Sequence, residues 1–177
     1  MILSEGPLTL RRLRLRDRKA WQEVRKRNQS WLSKWEAGAP PDSGMTTIHS
    51  FGSMIRYFDG QARSGTAASL IIWYEGVLVG QITLGGITYG ALRSAHIGYW
   101  IDERYAGRGI VPRSVRLVVR YAFDHLRLHR LEINFRPENE ASRRVAEKCG
   151  FVYEGERKSF LYIDHGWRDH LSYVLFE

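Results

Sequence analysis

Residues 94–137 constrain the fold more than any other stretch. "SAHIGYWID" (94–102) reads as a strand, and "HRLEINFRP" (129–137) reads as another. Between them Val111, Val115, Val118, Val119, Ala122, Phe123 and Leu126 recur at the spacing of one helical face. They predict a helix of about four turns, with Pro112 tolerated in its first turn. A strand, a helix and a strand of this length form a crossover, so the two strands should be parallel.

"RYAGRGIV" (104–111) joins the first strand to the helix. A helix start leaves backbone N–H groups unpaired and carries roughly half a positive charge. Gly107 and Gly109 permit positive φ and let a ligand approach the backbone. Arg104 and Arg108 add forked donors suited to phosphate oxygens. Together they make an anion site. A basic tight turn is the competing reading, because G-x-G alone occurs in many turns. The stretch is not a Walker loop, since G-K-[ST] is missing, nor a dinucleotide fingerprint, since the third glycine is missing.

The remaining elements follow from periodicity and punctuation. "LTLRRLRLRD" (8–17) alternates as a strand does, and Asp17 can cap a helix reaching about Asn28. "SWLSKWEAGAPPDSG" reads as a loop, and a second helix is expected over about 46–63. "ASLIIWYEGVLVGQITL" (68–84) predicts two strands turning at Glu75–Gly76. "ENEASRRVAEKCGF" predicts a helix with Asn139 as N-cap and Gly150 as its stop. The end of the chain predicts two strands around Asp164–Gly166. At 177 residues the chain is most simply one domain, residues 1–177.

Charge sets the choice of partners. The net charge is +8, and it is concentrated in residues 1–30 (9 Lys/Arg against 3 Asp/Glu) and 104–148 (11 against 5). Such segments attract anionic cofactors, nucleic acid or acidic partners, or are simply solvated. No stretch reaches the ~20 apolar residues of a membrane span. The start of the chain lacks the order of a signal peptide, and Cys149 is the only cysteine, so a cytoplasmic protein is expected.

"IGYWIDERYAGRGI" resembles the fourth strand and coenzyme A loop of the GNAT N-acetyltransferases. "RLEINFRPENEASRRVAEKCGF" resembles their fifth strand and the helix after it. "NQSWLSKWE" and "DHGWRDHLSYVL" are similar to the RimJ/RimL branch, which modifies the N-termini of ribosomal proteins. The resemblance spans nearly the whole chain. It implies an α+β fold: a central, mixed, mostly antiparallel sheet whose fourth and fifth strands are parallel and splayed, flanked by helices. It implies acetyl-CoA as co-substrate and no metal. Tyr99, Trp100 and Ile101 would line the pantetheine, and the backbone from Arg104 to Ile110 would hold the pyrophosphate. That stretch includes Gly107, Arg108 and Gly109. Asn139 would face the coenzyme and Ser142 would lie near its sulfur, where a plain helix cap is the other reading of both.

The chemistry asks for a neutral amine, a donor to the tetrahedral oxyanion and a stabilised thiolate. An α-amine has a pKa of about 7.7–8.0, so a modest base suffices. His96 stands where many relatives carry a glutamate, and an ordinary polar strand residue is the alternative. A strand N–H around Tyr99–Ile101 is the oxyanion candidate. Ser142 is the first choice to protonate the thiolate, and Tyr153 or Tyr162 the second. Glu36 is a further base or an ammonium binder, and Trp31, Trp35 and Tyr162 are expected around the acceptor. The expected function is acetylation of the N-terminal amine of a ribosomal protein. A small-molecule amine such as a polyamine or antibiotic is the second reading, and a basic RNA- or ribosome-binding module the third. Docking on RNA through the basic face is compatible with the first, as monomer or homodimer.

Overall fold

The computed structural model describes residues 1–44 and 50–177. An eight-stranded sheet runs in the order β1-β2-β3-β4-β5-β6-β8-β7. Its strands are β1 (Ile2–Glu5), β2 (Leu8–Arg11), β3 (Ala68–Tyr74), β4 (Val77–Thr88), β5 (Ser94–Ile101), β6 (Arg130–Phe135), β7 (Val152–Ile163) and β8 (Gly166–Phe176). β5 and β6 pair in parallel, and the other neighbours are antiparallel. The α+β architecture expected from the sequence is therefore the one observed.

Helix α4 (Ile110–Arg120) makes the crossover between β5 and β6. Val111, Val115, Val118 and Ala122 bury the predicted stripe against Leu8, Leu10, Ile72, Ile82, Ala95 and Ile97. Each such valine, leucine or isoleucine contributes roughly 1.5–3 kcal/mol when fully buried, the alanines less. After Arg120 the coil widens into a π turn over Tyr121–His125. Helix α5 (Glu140–Lys148) lies on the same face, with Ala146 in that core.

The opposite face carries α1 (Arg18–Arg27), the short α2 (Gln29–Leu32) and α3 (Phe51–Ser64). Here Leu13, Val24, Ile71 and Leu78 form a second core with Trp21, Phe51, Phe58, Trp73 and Trp100 around it. Ser50 and Ser53 close α3 reciprocally, each hydroxyl accepting the other's backbone N–H.

Several expectations are corrected. The strand expected over 8–17 ends at Arg11, and β1 precedes it unforeseen. Asp17 sits before α1 but does not cap it: its carboxylate accepts from the Arg11 guanidinium and from the Arg14 N–H. Those bonds hold a 3-10 turn at Leu15–Asp17 instead. α2 occupies part of the expected loop, because Leu32 finds a buried place. The helix expected over 46–63 is seen from Phe51, and residues 45–49 lie outside the described residues.

Candidate active site

β5 and β6 part company early. Their parallel pairing covers Ser94↔Arg130, Ala95↔Leu131 and His96↔Glu132 and goes no further. On its other edge β5 stays bonded to β4. The Asp102 N–H donates to the Val79 carbonyl at 2.7 Å, one step beyond the Gly80↔Ile101 pair. The antiparallel rule then turns the amides of Gly98 and Trp100 toward β4. The N–H and C=O of Tyr99 and Ile101 point into the gap beside β6. The sequence expectation for Trp100 is corrected accordingly. Its backbone is engaged by β4, and its indole packs into the second core, edge-on to Trp21 at 5.5 Å between centroids. Trp31, expected at the acceptor, donates its indole N–H to the Ile101 carbonyl at 3.2 Å.

Below the gap lies the glycine loop. Gly107 and Gly109 take φ of +75° and +72°, in the left-handed region that favours glycine. A Cβ built on either would meet nothing within 4 Å, so the space above the loop is open. Gly109 is the N-cap of α4 and offers no side-chain cap. The N–H groups at the helix start therefore remain available, with buried Ile110 fixing the first turn. Arg104 and Arg108 are exposed and form no ion pair with any described residue; Arg108 rests on the Tyr105 ring at 4.8 Å.

A cluster that the sequence reading missed fixes this loop. Asp102 is 1% exposed. One carboxylate oxygen accepts from Arg27 Nε at 3.0 Å and Nη2 at 2.5 Å. The other accepts from Asn28 Nδ2 at 3.0 Å and the Arg104 N–H at 3.3 Å. Asn28 Oδ1 in turn accepts from the Glu103 N–H at 2.9 Å. Burial works against the Asp102 carboxylate, but the Arg27 and Asn28 bonds outweigh it and hold its pKa below the ordinary value. The C-terminus of α1 is thus pinned to the exit of β5.

Across the gap, Asn139 Oδ1 accepts from the Ser142 N–H at 3.1 Å, the predicted cap of α5. Its amide nitrogen is left free of any bond among the described residues. The Ser142 side chain faces the Tyr99 hydroxyl, which is sealed from solvent without reaching a partner at hydrogen-bond geometry. Burial raises the Tyr99 pKa, so its phenol keeps its proton. Tyr153 is ruled out as the second-choice acid. It is 56% exposed on β7, separated from the gap by β8 and β6.

His96 lies on the face opposite α4. Its ring covers a glycine bulge, where a Cβ on Gly85 would stand 2.6 Å from Nε2. His96 is exposed at the sheet surface, yet the burial it has is the largest influence on it and lowers its pKa; Glu132 pulls it up and Arg157 down, with a net lowering. His96 is therefore neutral at pH 7. Beside it runs a polar chain that the sequence did not reveal. Arg130 and Arg157 both donate to Glu132, Asn134 Nδ2 donates to Glu132 at 3.2 Å, and Ser172 donates to Asn134 Oδ1 at 2.5 Å. Only the alternation of "RLEIN" hinted that these side chains share a face.

The early loop and the β7–β8 hairpin meet at the mouth. Ala37 bridges Ile163, and the Gly38 N–H donates to the Tyr162 carbonyl at 2.9 Å. Tyr162 packs edge-on to Trp167, while Trp35 lies between Lys34 and Arg136. Glu36 is not a free carboxylate: Arg25 holds both its oxygens while lying over the Trp100 ring. A polar hollow beside the mouth is lined by Arg136, Pro137, Glu138, Trp167, Arg168 and Asp169.

The acetyl-CoA implied by the resemblance suits these residues. Open left-handed glycines, unpaired arginines, an uncapped helix start and a partnerless hydroxyl all offer it contacts. Comparison with known proteins agrees. The acetyltransferase (GNAT) domain model matches residues 7–152. The probable N-acetyltransferase YjcK of Bacillus subtilis is 46% identical over 93 residues, covering 52% of this chain and 51% of its own length. The putative ribosomal N-acetyltransferase YdaF of the same organism is 32% identical over 168 residues, covering 95% of this chain and 90% of its own. Mycobacterium smegmatis RimJ, solved in complex with CoA-disulfide, superposes with a TM-score of 0.88 at 36% identity, covering 99% of this chain and 86% of that one. The splayed strands, the glycine loop and these matches together make the chain a member of the GNAT family of N-acetyltransferases, which draw their acetyl group from acetyl-CoA.

Proposed function

We propose that this protein acetylates the N-terminal α-amine of a ribosomal protein in the cytoplasm. The observation that carries this reading is the state of the carboxylates at the mouth. Glu36 is held by Arg25, Glu138 by Arg136, and Asp169 by Lys158. A polyamine is a polycation and needs free carboxylates, so this rim disfavours it. A peptide end brings one amine, and its backbone suits a mouth built from tryptophans and two loop segments. The exposed turn around Leu15 supports a target embedded in RNA. Arg14, Arg16, Arg18 and Lys19 form no ion pair with any described residue, so their charge is free to meet phosphates.

Acetyl-CoA supplies an activated acetyl thioester. The chain's own groups do the rest. The glycine loop, the α4 start, Arg104 and Arg108 hold the pyrophosphate, and the free amide of Asn139 faces the coenzyme. The N–H of Tyr99 or Ile101 donates to the oxygen that gains charge during transfer. Neutral His96 takes the proton from the attacking nitrogen, directly or through water. Ser142 donates to the departing sulfur.

A CoA-release assay tests the reading, run with peptides beginning Ala, Ser and Met and with spermidine. A free-amine peptide should be turned over, and blocking its N-terminus should abolish turnover. Faster release with spermidine than with every peptide would replace this proposal with the small-amine one.

A further inference from the structure

We infer that the Tyr99 hydroxyl is a positioning residue for the thiolate: it donates to Ser142 Oγ and so aims the Ser142 O–H at the coenzyme sulfur. The inference rests on the acetyl-CoA reading of the cleft. Its basis is an anomaly within the molecule. Buried polar atoms nearly always have partners, and one without a partner costs about 1–3 kcal/mol. Tyr99 comes from β5, where its own backbone faces the gap, and its ring packs toward the α4–α5 core. The hydroxyl ends sealed from solvent beside Ser142, with Cys149 nearby. Cys149 does not compete for it: its thiol donates to the Pro112 carbonyl at 3.4 Å. Ser142 contributes its backbone N–H to the Asn139 cap, which leaves its hydroxyl for the gap. Two neighbouring hydroxyls from opposite walls thus lack any other partner among the described residues. A ligand atom that accepts from Ser142 would let Ser142 accept from Tyr99, completing both.

The step balances without either hydroxyl losing a proton. The amide C–N bond forms, the C–S bond breaks, and its electron pair goes to sulfur. The nitrogen's proton goes to the base. The thiolate leaves carrying a hydrogen bond from Ser142, strengthened by the one Ser142 receives from Tyr99, and takes its proton from solvent on release.

Calorimetry with CoA and with desulfo-CoA, which differ only in the sulfur, separates this role from a structural one. Tyr99→Phe should weaken CoA binding about tenfold and leave desulfo-CoA unchanged. Ser142→Ala should do the same, and the double variant should be no worse than Ser142→Ala alone. Without ligand, Tyr99→Phe should melt at the same or a higher temperature, since it removes an unpaired buried hydroxyl. Equal losses for both ligands, additive losses in the double variant, or a lower melting temperature would each overturn the inference. Failure of the unmodified protein to bind either ligand would instead remove the coenzyme reading beneath it.

Discussion

The two ends of the cleft are built on opposite electrostatic plans. At the end proposed for the coenzyme, Arg104 and Arg108 stand exposed above a loop of left-handed glycines and pair with no described residue, while Arg27 beside them is tied to Asp102. At the acceptor end almost every charge near the mouth already has a mate: Arg25 with Glu36, Arg136 with Glu138, Lys158 with Asp169. The first plan suits a fixed polyanion, whose charge the site can leave uncompensated until it arrives. The second suits an acceptor recognised by shape and by its single amine. Point charges should therefore matter greatly at one end and little at the other.

The largest effect should come from Gly109→Val. A β-branched side chain at φ +72° costs about 1–3 kcal/mol in backbone strain and projects into the open space above the loop. Acetyl-CoA affinity by calorimetry should fall about a hundredfold. An unchanged dissociation constant would sink the cradle. Asp102→Ala comes next. It unties Arg27, Asn28 and the loop amide, and thermal or urea unfolding should report a loss of about 2 kcal/mol. Because Asp102's pKa is lowered on folding, its contribution is present above the ordinary carboxylate range near 3.9 and is lost as pH falls through the folded value. The stability gap between the unmodified protein and the variant should shrink in acid; a gap constant down to pH 2 would contradict the assignment.

Gly85→Ala pushes a methyl into the His96 ring. Turnover should drop about tenfold while coenzyme affinity holds, the signature of a displaced base. His96→Gln should give a similar loss and also change the pH profile. A lowered His96 pKa places its rise in rate below pH 6.5, so that limb should vanish in the variant. An identical acid limb in both enzymes would assign the base elsewhere. The smallest effect is expected from Glu36→Gln. Its carboxylate is 36% exposed and already paired, and such pairs contribute only about 0.2–1 kcal/mol. The acceptor KM should move by less than about threefold. A larger change would mean that the mouth reads charge after all, and the contrast between the two ends would fail.

The sequence disclosed the crossover and the loop because periodicity and glycine chemistry are local. The stripe from Val111 to Leu126 and the alternation in "SAHIGYWID" need no partner to be seen. Asn139 could likewise be read as a cap, since its bond reaches only three residues. What stayed hidden depends on contacts across the chain. Asp102 looked like the end of a strand, and its partners lie at Arg27 and Asn28. Asp17 looked like a helix cap and instead serves Arg11 and Arg14 on the near side. Trp100 looked like a pantetheine contact, and only the register with Gln81 shows that its amide faces the wrong strand. Tyr99 was noticed for its backbone, while its hydroxyl became conspicuous only once its surroundings were known.

The bond from the Trp31 indole to the Ile101 carbonyl has a metric consequence. An extended ligand can add itself to a strand edge only where that edge is vacant. β6 fills the edge up to His96, and Trp31 takes the last outward carbonyl at 101. Between these stops the vacant edge is about two residue pairs long, or roughly 13 Å at strand spacing. With the coenzyme's arm placed along this edge as proposed, the vacant stretch acts as its ruler, with the parting of two strands as zero and one tryptophan as the far mark.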